Sequence, residues 1–323
     1  MPKKDYKTSI GGQALIEGVM MRGPQKSAMA VRLPGGEIDI EEWENPAASG
    51  KWYRKTPFVR GIFNLVDALS SGYKCLMKSA EKSGMAIEEE PSRFEKWLTD
   101  KLGDKVATVF AAVAMVVAIV LAVGLFMILP LFLADLIARA VQFELSPITR
   151  SFLEGVIRIF VFVMYILLSS KVKDVHRTFE YHGAEHKTIA CYEAGGELTV
   201  ENVRKESRFH PRCGTSFLLI VLVISILTFS FVQLDNVLVF EHMLLRVLVR
   251  AVLRFALLPV VVGIAYEIIK LAGRHDNILT RVISAPGLWF QRLTAKEPDD
   301  SQIEIAIASM LPVIPAESGA DEW

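Results

Sequence analysis

Residues 107–129 read ATVFAAVAMVVAIVLAVGLFMIL, a stretch without a single charge. A helix rises 1.5 Å per residue, so about 20 such residues cross the ~30 Å hydrocarbon layer of a bilayer. Three further blocks share this character, at 152–170, 217–234 and 251–272. The second carries Glu154 and Arg158 near its start, spaced to pair on one helix face. The fourth carries Arg254 near one end and Glu267 and Lys270 near the other, where long side chains reach the interface. The sequence therefore predicts an α-helical multi-pass membrane protein with four transmembrane helices.

Composition agrees, with 52% hydrophobic residues and a mean hydropathy of +0.35 over 323 residues. Formal net charge is zero, which gives no electrostatic case for nucleic acid. Three cysteines (Cys75, Cys191 and Cys213) are too few and too scattered for a secreted disulfide framework. The opening MPKKDYKTSIGG has lysines but no apolar run after them, unlike a cleavable signal peptide.

Basic residues orient the spans. Segment 171–216 holds eight lysines and arginines, whereas 130–151 holds Arg139 and Arg150, and 235–250 holds Arg246 and Arg250. The expectation is a cell-membrane protein with both termini and the middle segment cytoplasmic. Its outer connections are short and partly apolar.

Five stretches follow. Residues 1–90 form a small cytoplasmic α+β domain. Within 8–45 the runs ALIEGVMMRG, SAMAVRLPGG and EIDIEEWE, broken by Gly-Pro and Pro-Gly-Gly turns, predict a β-meander. Pro57 then introduces an amphipathic helix, docked on the meander or lying on the membrane. Residues 91–170 hold the rest of an acidic linker, IEEEPSRFEKW, and spans one and two. Residues 171–216 are a His/Cys segment, and 217–272 hold spans three and four. Residues 273–323 carry an interfacial segment with Trp289, an amphipathic helix from about Asp300 and a loose tail.

The chemistry is concentrated in 171–216. In YHGAEHKTIACYE, starting at Tyr181, a helix sets His182, His186 and Glu193 on one stripe. Glu185 falls about 60° to one side, within reach of a water on a shared metal. The order His-x-x-Glu-His is that of inverted zinc peptidases. Gly195-Gly196 ends the helix. A second cluster, RFHPRCGTSF, offers His210 and Cys213, with Pro211 and Gly214 shaping a turn that lets both converge. Three imidazoles and a thiolate would fill a zinc tetrahedron. The bland alternatives are surface histidines on a juxtamembrane helix and a turn that merely launches a span. A four-ligand site would be structural. A three-ligand site would leave a position for an activated water, with Glu185 as its proton acceptor. Strand alternation also sets Gln13 and Glu17 beside Leu15 and Val19, where Glu17 needs a partner such as Arg22, Arg60 or the metal site.

GGQALIEGVMMRGP, YHGAEHKTIACYEAGGELTVENV and RFHPRCGTSFLL together resemble the YqhQ-like family of bacterial multi-pass membrane proteins. The resemblance runs from about residue 9 to 312. It implies a metal-dependent enzyme with the metal at His182, Glu185, His186, His210 and Cys213. The leading expectation is hydrolysis at a cytoplasmic-face zinc site, of a lipid or a membrane-protein substrate. The alternative is a non-catalytic membrane-protein assembly or insertion factor with a structural metal. A transporter or channel ranks third, because no span is broken at its centre by paired Gly/Pro or by charge.

Overall fold

The computed structural model describes residues 6–45, 52–84, 106–141, 146–231, 243–274, 277–317 and 319–322. The acidic linker and the end of the third expected span, 232–234, lie outside them. The chain divides into two compact units, one of Met1–Ala86, Ile166–Ser225 and Val247–Trp323, the other of Ile87–Tyr165 and Ile226–Arg246.

The first unit is built on an antiparallel meander, β1 (Gly11–Leu15), β2 (Gly18–Arg22), β3 (Lys26–Arg32) and β4 (Ile38–Glu44), paired in chain order. The run ALIEGVMMRG is two strands, because Ile16 and Glu17 make a two-residue turn that leaves Leu15 opposite Gly18. Glu17 takes φ 49°, the left-handed conformation in which the chain turns back. It therefore leaves the Leu15 face, and the register puts Val19 on the other face. The Glu17 carboxylate instead pairs with Arg177 and accepts from the Tyr181 hydroxyl at 3.1 Å.

Both faces of the sheet are covered. Leu15, Met20, Met29 and Val31 pack with Cys75 of α2 (Val59–Lys82), which follows the short α1 (Trp52–Lys55). Gln13 lies on this face too, so close to α2 that a Cβ at Gly72 would sit 2.2 Å from its amide oxygen. Val19, Met21, Ala28 and Ala30 face the opposite way, onto two helices of the later chain.

The second unit contains α3 (Val106–Val123), a wide π-turn at Gly124–Ile128, and α4 (Leu129–Val141), continuous as one helix. The first expected span thus runs on past residue 129. Pro130 has no N–H for the Phe126 carbonyl, and the ladder opens there instead of ending. That carbonyl accepts from Arg158 Nε at 2.9 Å, which gives the arginine of the second apolar helix, α5 (Pro147–Ser169), a backbone partner. Two described stretches, Val113–Ala140 and Ile148–Ser169, are long and apolar enough to cross a membrane. Val116, Val120 and Leu121 stand more than half exposed, an outward apolar surface that water does not favour.

The remaining helices are α6 (Lys173–Glu193), α7 (Val200–Lys205), α8 (Gly214–Phe231), α9 (Met243–Arg274), α10 (Ile278–Thr294) and α11 (Asp300–Met310), followed by a 3₁₀ turn at Leu311–Val313. Helix α11 starts at the expected place, with Asp299 and Gln302 as a capping box. With α6 it covers the second face of the sheet through Tyr181, Ala184, Ile303, Ala306 and Met310. The expected loose tail is docked. Asp321 is buried, accepts from the Tyr6 hydroxyl and from Thr8 Oγ1 at 2.5 Å, and its carbonyl takes the Ser9 N–H at 2.6 Å.

Candidate metal centre

Helix α6 supplies most of the site, and its burial shows why. Every residue from Tyr181 to Ile189 is buried, so the helix is enclosed on all sides rather than decorated on one. Small residues allow that enclosure. A Cβ at Gly183 would lie 1.9 Å from the Lys296 carbonyl, where the chain leaving α10 crosses α6 and Lys296 N–H bonds to the Phe179 carbonyl at 2.8 Å.

On the enclosed side, His182, His186 and Cys213 come together. Their donor atoms lie within 4.8 Å of one another, and His182 Nε2 is 3.1 Å from Cys213 Sγ. Zinc–ligand bonds of 2.0–2.3 Å imply donor separations of about 3.5 Å, which these distances bracket. The outer atoms of both rings are fixed. His182 Nδ1 meets the Thr294 carbonyl at 2.7 Å, and His186 Nδ1 meets the Arg208 carbonyl at 2.7 Å. A carbonyl only accepts, so each Nδ1 carries a proton and each Nε2 is turned to the shared centre. His186 Nε2 is buried there with no hydrogen-bond partner. An orphaned buried nitrogen beside a thiol and a second imidazole suits a divalent metal of zinc type.

Charge favours the same use. Burial raises the Cys213 thiol pKa, but His186 and His182 outweigh it and hold the thiol well below its ordinary value. Burial works against a charged His182, yet the Cys213 sulfur, with help from Glu185, lifts its pKa to about 9. Without metal the pair is a thiolate beside an imidazolium, and a cation can take the place of that proton.

Glu185 is 5% exposed and stands between this cluster and strand β1, with its carboxyl group close against Gly12. Burial raises its pKa, against the pull of the two imidazoles. Gly12 has to be glycine for this approach, since a Cβ would come 2.9 Å from the carboxyl carbon. Glu185, His186, His210 and Cys213 line a cleft of about 450 Å³, with Arg22, Arg212 and the segment Thr8–Gln13 also on its walls.

The structure does not bring Glu193 or His210 into the donor triangle. Glu193 accepts the Thr8 N–H at 2.7 Å and pairs with Arg212, and these partners with His210 lower its pKa against the effect of burial. The His210 ring is 5.7 Å from that of His186 and directs Nε2 to Glu193 at 3.4 Å. Burial lowers its pKa. The helical stripe is real, but Glu193 lies almost two turns beyond His186, too far along the axis to share one ion.

Sequence reasoning passed over the residues that hold the second cluster in place. Gln291, fully buried on α10, accepts the His210 N–H at 2.8 Å and donates to the His210 carbonyl at 2.7 Å. It and Thr294 sit on the inner face of an amphipathic helix. A polar pair at such positions was the available signal.

A family described as protein of unknown function (DUF1385) matches residues 56–316. The chain belongs to this family. It is also 33% identical over 314 residues to the uncharacterized protein YqhQ of Bacillus subtilis (strain 168), covering 96% of this chain and 93% of that protein. No solved structure matches.

Proposed function

We propose that this family member is a metal-dependent hydrolase of the cell membrane, with a zinc-type centre at His182, His186 and Cys213. The observation that carries the reading is the unpartnered His186 Nε2, aimed at a thiolate and a second imidazole whose outer nitrogen is fixed by a carbonyl. A metal held there would supply Lewis acidity and a nucleophile at neutral pH. Glu185 is the residue to accept and return the proton, since it is buried beside the donors, has a raised pKa and lines the cleft. Arg22 lines the cleft and can face developing negative charge there.

The membrane part of the proposal is the four-span topology with both termini and the metal segment cytoplasmic. It is supported by the two apolar helices, by the apolar α8 and α9, and by the basic residues concentrated in 171–216. The substrate is then a lipid or a membrane-protein segment. The second reading is an assembly factor in which the metal only ties α6 to 208–213 and α10. It is favoured by the fact that the carbonyls fixing the two histidines come from two separate segments.

Metal analysis of full-length protein purified without chelators separates the readings. Wild type and Glu185→Gln are expected to carry stoichiometric metal, and His186→Ala to lose it. Glu185→Gln is expected to fail in a cellular complementation assay. A metal-free wild type overturns both readings, while a metal-bound, fully complementing Glu185→Gln overturns the hydrolase and leaves the assembly factor.

A further inference from the structure

Two helices of the first unit present exposed apolar residues on the side turned away from the core. Helix α2 buries Gly72, Cys75 and Ser79 toward the sheet and Gly61 against α9. Its opposite side shows Phe63, Val66, Leu69, Tyr73 and Met77, the last four more than half exposed. At 100° per residue these five fall in a stripe about 120° wide, centred roughly opposite the buried face. Asp67, Lys74, Lys78 and Glu81 lie along one flank.

Helix α10 repeats the pattern. Thr280, Gly287, Phe290, Gln291 and Thr294 face inward, where the Thr294 carbonyl meets His182 and Gln291 holds His210. Ile278, Leu279, Val282 and Trp289 face outward, with Ile278 at 82% exposure. They form a stripe about 100° wide, bordered by the exposed Arg281 and Arg292. An apolar stripe with an aromatic ring and flanking cations is the composition of a helix lying in a lipid interface.

Both helices are tied to the end of α9. Phe58 N–H and Arg60 Nε bond to Glu267 at 3.1 and 2.8 Å, and Asn64 donates to the Tyr266 hydroxyl at 2.8 Å. Gly61 and Gly263 permit this contact, since a Cβ on either would fall within 3 Å of Tyr266 or of Phe58. Helix α10 begins four residues after Arg274, a reach of no more than ~14 Å. Upstream on α9, Val252, Phe255 and Val260 are more than half exposed, as lipid-facing positions would be.

We infer that α2 and α10 dock on the bilayer surface through these two stripes, so that the metal cleft is held at the membrane by one of its walls, α2, and by the helix behind its histidines. This rests on the membrane-spanning reading of α9 given above. Ala68 and Ser71 of α2 line the cleft, while the stripe of the same helix meets lipid. The reacting group therefore stands about one helix diameter, ~10 Å, from the lipid surface. That excludes an acyl chain as the reacting group.

Full-length protein in vesicles of phosphatidylcholine and phosphatidylglycerol tests this by tryptophan depth. One variant keeps Trp289 alone, with Trp43, Trp52, Trp97 and Trp323 replaced by Phe. A second adds Tyr73→Trp to a tryptophan-free background. Expected are blue-shifted emission, loss of most intensity with lipids brominated near the head group, and protection from aqueous iodide. Trp43 alone, on β4, should remain unaffected by the brominated lipid. Emission quenched by iodide and not by lipid means a solvated face and overturns the inference. Shielding from both quenchers means that protein covers the stripes, and overturns it equally. Metal content of the same vesicles reports on the hydrolase reading separately.

Discussion

The proton on His182 makes zinc affinity a direct test of the donor triangle. In the metal-free protein this imidazole titrates at about 9, while the Cys213 thiol is held well below its ordinary value. Metal binding at pH 7 therefore has to displace one proton, from His182, and none from the thiol. Two pH units below the His182 pKa, that displacement costs about 2.7 kcal/mol, at 1.36 kcal/mol per unit. Apparent affinity should rise about ninefold from pH 7 to 8, roughly 50-fold from pH 7 to 9, and level off above. Competition against a chromogenic zinc chelator at pH 7, 8 and 9 measures the slope. Calorimetry at pH 7 in two buffers of different ionisation enthalpy counts the proton. A slope of two would mean that Cys213 is a neutral thiol. A flat response would mean that His182 is already neutral, and either result refutes the ion pair. The sign for stability runs the other way. The folded pKa of His182 is raised above 6.5, so its contribution to the metal-free fold is complete below that value. It is lost as pH climbs through about 9, and bound zinc should abolish this alkaline loss.

Two substitutions probe the scaffold around the donors. Gly183→Ala pushes a methyl into the Lys296 carbonyl and should destabilise the protein by about 1–3 kcal/mol. The crossing chain carries the Thr294 carbonyl, so zinc affinity should fall too, and unchanged melting would show that the chains can separate there freely. Gln291→Leu strands the His210 N–H and carbonyl inside the protein, at about 1–3 kcal/mol for each unsatisfied group. Thermal unfolding measures it, with a drop expected both with and without zinc.

Some of this architecture is written in local patterns. The His-x-x-Glu-His spacing is a helix spacing, and α6 carries it as expected. The turn chemistry of Gly-Pro and Pro-Gly-Gly marks the meander, although the short hairpin at Ile16–Glu17 lacks any glycine inside the turn and was read through. Pro130 shows the opposite case. A proline usually ends a helix, yet here a π-turn absorbs it and Arg158, about thirty residues later, satisfies the carbonyl it leaves bare.

What the sequence determined by itself is therefore what depends on near neighbours: the apolar blocks, the amphipathic stripe of α2, the interfacial composition around Trp289, and the presence of metal-type donors at 182, 186, 210 and 213. Tertiary structure decided which donors meet. Angular position on a helix is a local property, but distance along its axis and the approach of other segments are not. Glu193 shares the stripe and misses the cluster, and His210 sits beside Cys213 in sequence yet turns to Glu193. The choice between them was made by carbonyls of Thr294 and Arg208, by Gln291 and by Gly12, groups whose role exists only once distant parts of the chain are packed together.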